Sequence, residues 1–182
     1  MTVHPSHIKL ARLLAPSIAL VTSGGILALS YYTSPILRAI IIQPSQTSQD
    51  GGRSAKSTST AFALSELRRL FSSGSHVFPQ LATLSSALSF YLAYSLPAHR
   101  AGYILAGVLA IAIAPVTTGI MVPACNGRLI ELDERVNKKK EDDFELDPKE
   151  VVALLKTFEQ LNAVRAFLLG MGGFVGVWMA LS

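Results

Sequence analysis

The chain has 182 residues, of which 50% are hydrophobic and only 15% charged, and its mean hydropathy is +0.41. A soluble domain devotes roughly a quarter of its residues to charge, so this balance excludes an ordinary water-soluble globule. A single cysteine, Cys125, excludes an intrachain disulfide framework and a cysteine-built zinc or iron–sulfur centre. The net charge of +4 does not argue for a nucleic-acid partner, because the basic residues lie in loops beside apolar blocks, where membrane topology accounts for them.

Four blocks approach the roughly 20 apolar residues needed to cross a bilayer as a helix. They are residues 13–33, 77–96, 101–122 and 161–181, and the only charged residue inside them is Arg165. The first follows Lys9 and Arg12 as a signal peptide would, but its apolar stretch is longer than a usual signal core. These blocks predict an all-α fold, a polytopic membrane four-helix bundle occupying residues 1–182 as one membrane domain.

Residues 43–61, QPSQTSQDGGRSAKSTSTA, lack apolar periodicity and predict a disordered loop insertion after the first span. The following AFALSELRRLFSSGSH places Phe62, Leu67, Leu70 and Phe71 near one helical face beside Arg68 and Arg69, the pattern of a short interfacial helix. Only Pro97, Ala98, His99 and Arg100 separate the second and third spans, which makes those spans antiparallel neighbours.

The third block ends in APVTTGIMVPACNGRL, residues 114–129. Pro115, Thr117, Thr118, Pro123 and Asn126 are costly in a lipid-facing helix, since freed backbone groups and polar side chains find no water there. Such irregularity is tolerated where protein or a cavity receives those groups, so the stretch is predicted to form a pocket wall. Beyond it, Asp147, Pro148 and Glu150 form a helix-start signal of N-cap, N1 proline and acidic first turn. From there Val151, Val152, Leu154, Leu155, Phe158 and Leu161 keep an apolar face into the fourth span, and Leu129, Leu132 and Val136 offer a matching face. Paired helical extensions of the third and fourth spans are expected, with NKKKEDD as a solvated turn between them.

The N-terminus and the short second loop hold three Lys or Arg residues, and the long loops hold the other thirteen when Arg165 is counted with them. Positive-inside logic therefore places both long loops in the cytosol. No Asn-x-Ser/Thr sequon is present to bear on this.

In the fourth span, GMGGFVG does not fit the dinucleotide-binding spacing and does not follow a strand. Gly172 and Gly176 instead form G-x-x-x-G, a spacing for close helix packing and, between copies, for a homo-oligomer. Metalloprotease, Walker, C-x-x-C and serine-hydrolase motifs are absent from the sequence. Antiparallel order nevertheless gathers polar groups at the long-loop end: His76, Thr117, Thr118, Asn126, Glu159, Asn162 and Arg165. Each has a bland reading as a cap, an interfacial residue or a snorkelling cation; together they suggest a polar pocket at a bundle mouth.

The order of motifs resembles the anthrone oxygenase family of small four-span fungal membrane proteins. The resemblance rests on SYYTSP at 30–35, FSSGSHVFP at 71–79, PVTT at 115–118, MVPACNGRL at 121–129 and LNAVR at 161–165. It covers nearly the whole chain apart from the loop insertion, and Ala124 and Cys125 depart from residues that relatives often carry. The resemblance implies oxidation of a polyketide anthrone to an anthraquinone in secondary metabolism, with molecular oxygen as co-substrate and neither cofactor nor metal.

On that reading His76 is the base, Arg165, held by Glu159 or Asn162, stabilises the enolate, and Asn126 orients the substrate. Thr117, Thr118 and Glu159 line the substrate site. The expected partners are the anthrone and the bilayer, in the endoplasmic reticulum or another endomembrane. The competing class is a non-catalytic membrane protein that organises biosynthetic enzymes, and a neighbouring gene for a non-reducing polyketide synthase would separate the two.

Overall fold

Long apolar runs with few breakers fold as helices because, with no water to bond, the backbone satisfies its own polar groups. The computed structural model describes residues 5–42, 52–138 and 147–182. In chain order these form α1 (Ser6–Ala28), a π-helical segment (Leu29–Thr33), α2 (Ser34–Ile42), α3 (Gly52–Ser95) and a 3-10 turn (Pro97–His99). The short turn leads into α4 (Arg100–Ile111), the single turn α5 (Ile113–Pro115), a second π-helical segment (Val116–Asn126), α6 (Gly127–Lys138) and α7 (Pro148–Leu181). The described residues contain no strand, and the fold is an all-α membrane type.

Among the described residues, three helical stretches are long and apolar enough to cross a membrane: Ser6–Ile42, Pro97–Val136 and Pro148–Leu181. At 37, 40 and 34 residues, each exceeds the roughly 20 residues of a single crossing. The predicted span 77–96 lies within α3 but outside that set, its apolar run being diluted by Gln80, Ser85, Ser86 and Ser89.

Two expectations are corrected. Of the predicted loop insertion, residues 43–51 lie outside the described residues, whereas α3 already begins at Gly52. The interfacial helix is likewise no separate element: α3 continues through Ser72 to Ser75 and past Pro79 without a break. The expected NKKKEDD turn lies outside the described residues from Lys139 onward.

The chain divides into two compact units. The first comprises Met1–Leu27, His76–Thr117 and Asn162–Ser182. Its core joins Ala19, Ile26, Ala82, Ala110, Ile113, Ala166 and Leu169, with a second cluster of Ile8, Ala11, Ala15, Leu92, Leu96 and Tyr103. Buried serines fasten its helices to one another. Ser23 donates to Ala166 O at 2.7 Å, Ser85 to Ala15 O at 2.7 Å and Ser86 to Gly107 O at 2.9 Å, the kind of interhelical bond that replaces hydrophobic drive between apolar helices.

Close approach does the rest. A Cβ on Gly172 would lie 3.0 Å from Ala106 O, and one on Gly176 would lie 3.1 Å from Pro16 Cβ. Both glycines therefore serve packing inside one chain, against α4 and α1. Arg12 Nη2 closes the far end of α7 by donating to the carbonyls of Met179 and Ala180 at 3.0 and 2.9 Å, groups that a helix C-terminus leaves without partners.

The second unit comprises Ala28–Ser75 and Thr118–Leu161. Its core contains Leu37, Ile41, Leu64, Leu67, Leu129, Leu132, Val151, Leu155 and Phe158, so the predicted pairing of the faces after residues 127 and 148 is observed. Asp147 caps α7 by accepting from Lys149 N at 2.9 Å. Glu150 does not fold back as a capping-box residue; it accepts from Arg128 Nε at 2.8 Å and so ties α6 to α7. Asp133, only 2% exposed, takes Arg68 at 3.0 Å, and that hydrogen bond raises the Arg68 guanidinium above its ordinary pKa.

Candidate functional site

α7 brings two of the predicted residues together in the first unit. Asn162 and Arg165 lie one turn apart, and Arg165 Nη1 donates to Asn162 Oδ1 at 2.9 Å. Both are buried, Arg165 to 7% exposure and Asn162 to 1%. The bond fixes how the amide points. A guanidinium offers only donors, so the amide oxygen must face Arg165 and Nδ2 must face elsewhere. Nδ2 is buried and finds no acceptor among the described residues. A buried donor without an acceptor is costly, so this group is suited to receive an oxygen atom from a bound molecule. The segments of the first unit carry no Asp or Glu, and the oxygen that meets Arg165 Nη1 there is a neutral amide.

Glu159 is engaged differently from expectation. Its Oε2 accepts from Arg38 Nη2 at 2.7 Å within the second unit, so of the two predicted holders of Arg165, Asn162 fills the role and Glu159 is committed to α2. Sequence reasoning did not single out Arg38. Its signal was a lone cation among isoleucines at the end of the first apolar stretch, but its partner stands 121 positions away.

The other residues take separate positions. His76 is exposed on α3, at the start of the first unit's share of that helix. Thr117, also in the first unit, is half-buried and donates its hydroxyl back to Ile113 O at 2.7 Å; the hydroxyl proton is used within the helix and the oxygen keeps acceptor capacity. In the second unit's part of the π-helical segment, Thr118 is exposed and Asn126 is half-buried. Asn126 Oδ1 lies 3.4 Å from Cys125 Sγ, which is also 3.3 Å from Met121 O. One thiol proton serves one of those oxygens at a time.

The two prolines explain the local backbone. Neither Pro115 nor Pro123 has an N–H to give, and each ring crowds the carbonyl four residues back. α4 accordingly stops at Ile111, and a wider π-helical winding runs over Val116–Asn126. Regular winding resumes at Gly127, where a Cβ would lie 3.0 Å from Val122 O, so a side chain there would crowd that carbonyl. π-helical turns recur at functional sites. Among the described residues, no group of three or more His, Cys, Asp and Glu is placed to hold a metal ion.

These features define an all-α protein of membrane type, with a buried asparagine–arginine pair and a proline-widened helix. A family model described as anthrone oxygenase matches residues 67–175, well over half of the chain, and takes in both features. The chain belongs to the anthrone oxygenase family. No curated protein and no solved structure matches it.

Proposed function

We propose that the chain oxidises a polyketide anthrone to the corresponding anthraquinone in an endomembrane, with dioxygen as co-substrate and no added cofactor. The observation that carries this reading is the buried Asn162–Arg165 pair, inside the family-matched segment, with Asn162 Nδ2 directed away from the guanidinium. The anthrone methylene stands between two aryl rings and is conjugated to a ketone, so loss of one proton leaves a carbanion delocalised onto the ketone oxygen. Asn162 Nδ2 and the Arg165 guanidinium are donors of the kind that favour such an oxyanion over the neutral ketone. His76 is the proposed base, an imidazole nitrogen being able to accept the methylene proton.

The anion gives an electron to dioxygen, and the resulting radical pair combines to form a C–O bond. The peroxide anion so formed takes back the proton first removed, and the resulting hydroperoxide loses its remaining methine proton as the O–O bond breaks. One oxygen stays as the new carbonyl and the other leaves as water, so both C–H bonds of the methylene supply the electrons and no external reductant is consumed. Burial serves the chemistry by keeping the donors strong and the carbanion away from bulk water.

The test uses microsomes given an anthrone under oxygen, with quinone formation followed by absorbance and corrected for spontaneous air oxidation. His76→Ala and Arg165→Ala are each expected to slow the reaction by on the order of 10²-fold, the scale for losing a general base or an oxyanion donor, at unchanged protein level. Unchanged rates in both variants would remove the assigned roles. A wild-type rate no faster than empty microsomes would remove the oxygenase reading for that substrate.

A further inference from the structure

The charge of the first unit is one-sided. It holds Lys9, Arg12, Arg100 and Arg165, and none of the chain's 12 acidic residues falls in its segments. Three of those four cations lie at one rim. The bonds from Arg12 to Met179 and Ala180, and the cluster of Ile8, Leu92, Leu96 and Tyr103 with Met179 against it, bring the start of α1, the end of α3, the start of α4 and the end of α7 together.

Arg12 is spent on the α7 carbonyls, whereas Lys9 and Arg100 are exposed. The ends of α3 and α7 at this rim carry Tyr94, 87% exposed, and Trp178, 70% exposed. Exposed tyrosine and tryptophan at a helix end mark the headgroup level of a bilayer. Cations there with no aspartate or glutamate side chain in their own unit have their charge available to lipid phosphate.

We propose that this rim is a lipid-selecting surface, with Lys9 and Arg100 gathering anionic phospholipids around the helix ends while Tyr94 and Trp178 hold the rim at headgroup depth. The proposal concerns the lipid shell and is independent of the proposed oxidation. It also holds for either orientation of the protein, because it names a rim and not a leaflet.

Trp178 is the only tryptophan in the chain and so reports on the rim directly. The full-length protein is reconstituted into phosphatidylcholine vesicles containing, at one equal and low mole fraction, either brominated phosphatidylglycerol or brominated phosphatidylcholine. Quenching of Trp178 fluorescence then measures the local concentration of each lipid.

The expected result is stronger quenching by the anionic lipid, with a local enrichment of about fivefold, the factor one basic residue near an anionic surface supplies. That excess should collapse in Lys9→Gln/Arg100→Gln and at high salt. Bromine placed near the glycerol should quench more than bromine deep in the chain. Equal quenching by the two headgroups overturns the proposal, as does an excess that survives in the double variant. Stronger quenching by deep bromine places Trp178 away from the headgroups and overturns it as well. A helical circular dichroism spectrum like that of the parent keeps the variant comparison valid.

Discussion

Replacing Gly172 by alanine tests the packing of α7 against α4. Two effects compete. Alanine is favoured over glycine in a helix interior by about 1 kcal/mol, which should stabilise the variant. Against that, the new Cβ would stand 3.0 Å from Ala106 O, 3.2 Å from Leu109 Cβ and 3.4 Å from Ala110 N. Two of these atoms belong to the α4 backbone, so relief requires the helices to separate by a few tenths of an ångström, and overpacking of that kind costs typically about 1–3 kcal/mol.

Gly24, in α1, supplies the control, because a Cβ there meets nothing within 4 Å. The helix-propensity gain is common to Gly24→Ala and Gly172→Ala, so their difference isolates the packing cost. Gly172→Ala is expected to be less stable than Gly24→Ala by about 1–3 kcal/mol. Thermal unfolding of both purified variants in one detergent, followed by circular dichroism at 222 nm, measures it. Equal melting temperatures, or a higher one for Gly172→Ala, would refute the close-approach argument. A loss of oligomer without loss of stability would return Gly172 to a contact between copies.

Tyr103 is fully buried, and its hydroxyl has no hydrogen-bond partner among the described residues. Tyr103→Phe should therefore stabilise the first unit by about 1–3 kcal/mol, the penalty of a buried unpaired polar group; a lower melting temperature would show that the hydroxyl is bonded. Cys125→Ser should keep most of the activity in the anthrone assay, because serine can also donate to Met121 O and the proposed reaction uses no thiolate; loss of activity at normal protein level would point to a covalent step. Cytosolic long loops predict that, in that cysteine-free background, a single cysteine at position 57 is labelled in intact microsomes and one at position 182 only after permeabilisation. The reverse pattern would invert the topology.

The membrane character and the helix starts were legible because they depend on local composition: apolar length for the spans, and Asp147 with Pro148 for α7. The two prolines of the third apolar run announced a broken helix, and the structure resolves it into a π-helical winding because Pro115 and Pro123 each withdraw a donor in one short stretch. What stayed hidden depends on partners distant in sequence. Ser85 and Ser86 lower the apolar signal of α3 when read alone, yet the carbonyls of Ala15 and Gly107 satisfy them. Likewise the interfacial helix expected over AFALSELRRLFSSGSH reads as separate from the span after it, but α3 runs through both.

The polar residues of the candidate site show the same divide. Asn162 and Arg165 stand three apart, a spacing that puts side chains on one helical face, and their pairing followed from α7 alone. Glu159 stands three before Asn162 and had an equal local claim on the pair, but Arg38 takes it from α2 at 2.7 Å. With Glu159 so committed, the oxygen bound to Arg165 Nη1 is the neutral one of Asn162. A carboxylate in that position would lower the attraction of the guanidinium for a second anion, whereas an amide leaves most of its field in place. The selection of Asn162 over Glu159 therefore leaves a neutral oxygen, and not a carboxylate, at Arg165 Nη1.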